Sequence, residues 1–128
     1  MWIRRETILP AGIDRQQLAR AGQDMITNSV LEYFDLTFSQ VTDRTRKLAI
    51  LIPRHFIHYF LTVLDDKSFR EIGFVTGLDH ATVTRSRDMI ENWIETDKHF
   101  RVKCYAIANL IILNNNTKNQ QNNESTDM

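Results

Sequence analysis

Apolar residues along this chain recur at helical spacing. Val, Ile and Thr never alternate with polar residues long enough to make a persuasive strand. The periodicity predicts an all-α chain, a helical bundle, with helices over about 13–21, 24–34, from Pro53 into the mid-sixties, 68–75, 80–95 and 99–113. On the second of these, Ile26, Val30, Tyr33 and Phe34 share a face. On the third, Phe56, Ile57, Phe60, Leu61 and Leu64 form a wide apolar stripe. In the fifth, Val83, Ser86, Ile90, Trp93 and Ile94 fall on one side, with Arg85, Asp88 and Asn92 opposite. The last helix buries Phe100, Cys104, Ile107 and Ile111.

Local chemistry marks the boundaries. Asp14 can cap the first helix, and Gly22 stops it. Thr37 with Gln40, and Ser68 with Glu71, are capping boxes. Pro53 suits the first turn of the long helix, where its missing N–H costs nothing. Gly77 supplies a turn that needs a positive φ, and Asp79 caps the helix after that turn. Beyond residue 113 the sequence NNNTKNQQNNESTDM has no apolar side chain to bury until its final Met128, so a disordered tail over 114–128 is expected.

A short capped helix, a glycine turn and a longer helix with a polar tip make a helix-turn-helix pattern. The first-turn N–H groups of the longer helix are unpaired and carry partial positive charge, which suits a phosphate or a base edge. His80 can donate or accept there. Ala81, Thr82 and Thr84 are small enough for close approach, and Ala or Thr can meet a thymine methyl. Asp79 can accept from cytosine, although capping is its first duty. Arg85 points away from the expected core more clearly than Arg87. Candidate DNA-binding residues are therefore Asp79, His80, Ala81, Thr82, Thr84 and Arg85. Arg44, Arg46 and Lys47 join them from the segment before the long helix, with Arg54 at that helix's start.

Composition alters this picture little. The chain has 128 residues, 42% hydrophobic and 25% charged, which is ordinary for one globular domain. Formal net charge is zero, yet residues 44–103 hold eleven Lys or Arg against eight Asp or Glu, a modestly basic centre. Cys104 is the only cysteine, so no internal disulfide forms, which suits a reducing, cytoplasmic setting. No apolar run is long enough to span a bilayer, and the start lacks a signal-peptide pattern, so no membrane is expected. No catalytic set is evident, and neither a cofactor nor a small-molecule substrate is expected. His55 and His58 have metal-like spacing without further ligands, so no metal is expected.

The stretch SFREIGFVTGLDHATVTRSRDMIE resembles the signature of the DNA-binding domain of DnaA, the bacterial replication initiator, a Trp-repressor-like helix-turn-helix. SVLEYFDLTFSQV is similar to that family's first two helices, PRHF to the start of its long helix, and DKHFRVKCYAIANLI to its closing helix. The resemblance implies double-stranded DNA as partner. It puts the helix opened by Asp79 and His80 in the major groove, with an arginine from Arg44, Arg46 or Lys47 in the adjacent minor groove. Thr82 would contact phosphate. Ala81 stands where the family usually has a base-contacting threonine, and Leu78 where it usually has an arginine. These departures imply a target other than the standard initiator box. The organisation expected is an N-terminal extension with a short helix at 1–23, the DnaA-like domain at 24–113, and the tail.

No phosphate-cradling G-x-x-x-x-G-K-[ST] signature occurs. The expected role is a non-enzymatic DNA reader, a stand-alone regulator or accessory replication factor of bacterial or phage origin. The alternative is a helical protein–protein interaction module, its partner meeting the Asn/Gln-rich tail and Trp2, Ile3 and Ile8 of the N-terminal extension.

Overall fold

The computed structural model describes residues 4–126, and side chains through residue 120. Six helices are present: α1 (Arg15–Phe34), α2 (Phe38–Val41), α3 (Leu48–Leu61), α4 (Phe69–Thr76), α5 (His80–Thr96) and α6 (Lys98–Thr126). No strand occurs among the described residues. The all-α bundle read from the apolar periodicity is the architecture observed.

α3 is the central element, packed on α1, α2, α4 and α5, while α6 closes the bundle against α1 and α5. Phe56, Ile57, Tyr59, Phe60 and Leu61 of α3 are fully buried. Phe56 stacks on Phe60 and Phe100 and meets Phe34, so one ring ties α3 to both α1 and α6. Around these rings lie Leu18, Ile26, Val30, Ile90, Ile107 and Ile111, each inaccessible to water. Burying such side chains supplies about 1.5–3 kcal/mol each before the entropy of ordering them is counted. Cys104 belongs to the same core, and burial pushes its thiol up to about 12, which leaves an inert sulfur.

The caps are those the sequence predicts. The Asp14 carboxylate accepts from the Gln16 N–H, and both capping boxes, Thr37 with Gln40 and Ser68 with Glu71, close in both directions. Gly22 breaks α1 at φ 82°, ψ 172°, and the helix resumes beyond it with Ile26 and Val30 inward.

Two boundaries differ from expectation. α3 begins at Leu48, five residues before Pro53, because the Lys47 carbonyl accepts from both Ile50 and Leu51 and starts the first turn. Pro53 therefore sits inside the helix. The carbonyl it leaves unpaired is that of Ala49, which is exposed, so the missing N–H is tolerated. α6 likewise passes the expected end at 113 and is helical to Thr126. Asn114 explains part of this, since its side-chain amide donates to Ser29 Oγ (3.0 Å) and Glu32 (2.9 Å) of α1. Residues 116–120 are exposed.

The N-terminal segment is a strap whose contacts periodicity gives no hint of. Arg4 donates to the carbonyls of Thr62, Leu64 and Lys67 in the turns that follow α3. Thr7 meets Thr62 in the interior, Tyr59 Oη donates to the Ile8 carbonyl (2.6 Å), and Tyr105 Oη donates to the Ala11 carbonyl. Glu91 of α5 accepts from Arg5 and from the Ile8 N–H. Burial alone would raise that carboxyl, but these hydrogen bonds outweigh it and hold the group below its ordinary range. Trp2 and Ile3, the other expected contacts of this segment, lie outside the described residues.

Candidate nucleic-acid interface

α4 and α5 meet at a turn that sequence alone dictates. Gly77 takes φ 74°, ψ 26°, and its N–H bonds back to Phe74 while Leu78 N–H bonds to Gly73. Gly73 is equally constrained: a Cβ there would stand 2.5 Å from the Leu78 carbonyl oxygen and 3.0 Å from Asp79 backbone atoms. The turn crosses α4 with no room for a side chain, and that contact sets where α5 begins.

At the tip, Asp79 Oδ1 accepts from both Thr82 N–H and Thr82 Oγ, each at 2.8 Å. These bonds, side chain first and backbone second, hold the Asp79 carboxyl below its ordinary range. The cap is thus charged, and one carboxylate oxygen remains open to solvent. Thr84 Oγ donates to the His80 carbonyl, leaving its lone pairs and methyl group. His80, Ala81 and Arg85 are exposed. Arg85 has no ion pair or side-chain hydrogen bond among the described residues.

Residues 43–47 form an irregular segment across a cleft of about 780 Å³ from the helix-turn-helix turn. Arg44, Thr45 and Arg46 line one side, and Val75, Thr76, Gly77 and Leu78 the other, with Phe38 and Phe74 at its edges. Arg44, Arg46 and Lys47 are exposed, and among the described residues none of the three has a side-chain partner. Arg44 and Arg46 thus face the turn across this depression, and the tip candidates from Asp79 onward follow directly on Leu78 without lining it.

Arg54 lines the same cleft, largely buried beneath the basic segment. It is 8% exposed, Nε donates to the Val41 carbonyl at 2.9 Å, and Nη2 donates to the Asp43 carbonyl. Sequence spacing placed it beside the basic cluster. Its geometry makes it a brace beneath that segment, with most of its surface withdrawn from any ligand. Arg87 is similarly tucked away, lying over the Phe69 ring and bonded to Asp88 and the Arg5 carbonyl.

Sequence reasoning missed a buried polar chain behind α5. Ser86 Oγ lies 2.7 Å from His55 Nδ1 and 2.9 Å from His58 Nδ1, and His58 Nε2 lies 2.6 Å from Thr76 Oγ1. The His-x-x-His spacing that suggested a metal is accounted for by these partners. Ser86 on the expected apolar face was the available signal.

The model of the bacterial DnaA protein helix-turn-helix matches residues 23–90, a span that includes the basic segment, the turn and the tip. The chain belongs to the bacterial DnaA helix-turn-helix family. The chromosomal replication initiator protein DnaA of Lacticaseibacillus casei (strain BL23) is 30% identical over 96 residues, covering 72% of this chain and 21% of that protein. That of Roseiflexus castenholzii is 31% identical over 96 residues, covering 74% and 20%. That of Limosilactobacillus fermentum is 33% identical over 87 residues, covering 67% and 20%. The chain spans about a fifth of the length of these DnaA relatives. No helix among the described residues is long and apolar enough to cross a membrane.

Proposed function

We propose that this chain binds double-stranded DNA in a sequence-specific way. The tip of α5 enters the major groove, and Arg44, Arg46 and Lys47 engage phosphates or the adjacent minor groove. The observation that supports this reading is an exposed polar tip directly after the turn, with the unpartnered cations Arg44 and Arg46 across a cleft from that turn. His80 offers a donor and an acceptor to a base edge, and Ala81 allows the backbone to approach. The first-turn N–H groups of His80 and Ala81 anchor a phosphate, and Thr82 reaches it only by releasing its hydroxyl from Asp79. Thr84 presents its methyl, and Arg85 meets phosphate or guanine. Asp79 caps the helix and keeps one oxygen for a cytosine amino group. Arg54 acts through the segment it braces. The function is reading DNA, as a regulator or accessory replication factor, with no catalytic step in these residues.

The protein-interaction alternative is not favoured. It relies on the Asn/Gln-rich tail and on the N-terminal extension, and the extension's described polar groups are largely engaged within the chain, although Ile8 remains 64% exposed. Selection of bound duplexes from a random pool tests the proposal. A short enriched motif supports it, and a pool that stays random after repeated rounds contradicts it.

A further inference from the structure

Behind α5, Ser86 Oγ, both histidine rings and Thr76 Oγ1 form one hydrogen-bonded chain. Thr76 Oγ1 also lies 3.3 Å from the Gly73 carbonyl, and with its single proton given there it accepts from His58 Nε2–H. His58 is fully buried and burial, with His55 and Arg54 nearby, lowers its pKa to about 3, so the ring is neutral. Its Nδ1 then carries a lone pair, and Ser86 must donate to it. Ser86 Oγ is left to accept from His55 Nδ1–H. With Thr76 so turned, the chain runs one way, from half-buried His55 through Ser86 and His58 to Thr76 and the backbone of α4. It joins three helices: α3 gives both histidines, α4 gives Thr76, and α5 gives Ser86.

We propose that the His55–Ser86–His58–Thr76 chain is a positioning device for sequence reading, fixing the angle of α5 against α3 and α4. The inference rests on the proposal that the chain binds DNA. Ser86 lies six positions beyond His80, about 9 Å along the helix at 1.5 Å per residue, so a tilt of roughly 10° about it moves the tip by about 1.5 Å. Apolar packing around Val83 and Ile90 tolerates small rotations, whereas three hydrogen bonds of fixed direction do not. Phosphate contacts by long, flexible side chains survive such a tilt, but base-edge bonds lose their geometry. The chain's energetic signature is therefore in discrimination between duplexes, more than in general affinity.

The test uses the whole chain with Thr76→Val, which keeps shape and removes the acceptor, Ser86→Ala, and Thr76→Ser as the conservative control. Each is titrated with the duplex selected by the wild type and with a scrambled duplex, with thermal melts to confirm folding. The ratio of the two affinities should fall roughly threefold to tenfold in Thr76→Val and Ser86→Ala. Scrambled-duplex affinity should stay constant, and Thr76→Ser should restore the ratio. Nitrogen-15 spectra of the wild type should show His58 protonated on Nε2 and bare on Nδ1. Folded Thr76→Val and Ser86→Ala variants with wild-type discrimination overturn the inference, as does a wild-type His58 protonated on Nδ1, whatever the variants do. Equal binding of both duplexes by the wild type instead overturns the DNA-reading proposal and this one with it.

Discussion

At the tip of α5, each polar side chain is sorted by whether it already has a partner. Asp79, Thr82 and Thr84 hold one another or the backbone, while His80 and Arg85 face solvent. His80→Ala should cost on the order of 1–3 kcal/mol on the preferred duplex and much less on scrambled DNA. Arg85→Ala should weaken both if it meets phosphate and mainly the preferred one if it meets guanine. Parallel titrations separate these outcomes, and neither change should lower the melting temperature appreciably. Gly73→Ala acts oppositely. Its Cβ has backbone for a neighbour, so the turn must shift, with a loss of about 1–3 kcal/mol in a denaturant melt. The roles of Asp79, Gly77 and the two capping serine and threonine residues were legible because they arise within a few positions. The bracing bonds of Arg54 were not legible, because its acceptors, the carbonyls of Val41 and Asp43, are set by the fold.

Among the elements, α3 carries the clearest pH dependence. His58 is neutral in the folded chain down to about pH 3 but takes up a proton near its ordinary value when unfolded. The unfolded state therefore binds more protons below about pH 6.5, and stability falls as pH drops from there toward 3, by up to about 1.4 kcal/mol per pH unit. His55, lowered by burial and by Arg54 and Arg85, pushes the same way. Melts across this range should show the fall, and a flat profile would place an open or charged His58 in the folded protein. The segment between α2 and α3 has a different signature. Replacing Arg44, Arg46 and Lys47 by Ala should flatten the slope of log K against log salt by about 0.9 for each phosphate no longer neutralised. An unchanged slope removes the segment from the interface. Helix identity was readable from apolar period and caps, but the start of α3 was not. Pro53 is a strong local signal for a first turn, and the turn that precedes it is nucleated by Lys47 without a side-chain cap.

In the whole molecule, the strap and α6 hold the DnaA-type core from outside the residues that the family model matches. Deleting residues 1–11 strips the buried Tyr59 hydroxyl of its Ile8 acceptor, while Thr62 keeps its bond to the Tyr59 carbonyl, and about 1–3 kcal/mol should be lost for the orphaned hydroxyl. Deleting residues 117–128 should leave the melting temperature unchanged, whereas a cut before Asn114 should lower it by removing the bonds to Ser29 and Glu32. Thermal melts of the three truncations check all of this. Strap contacts span more than fifty positions, and no local pattern encodes them. The central claim, that the α5 tip reads duplex DNA, is tested most directly by one titration. Wild type and His80→Ala are each bound to the selected duplex and to its scramble at fixed salt. The account predicts that the wild type prefers the selected duplex and that the variant, still folded, loses most of that preference while binding the scramble equally well. A folded His80→Ala protein with the wild-type preference would contradict it.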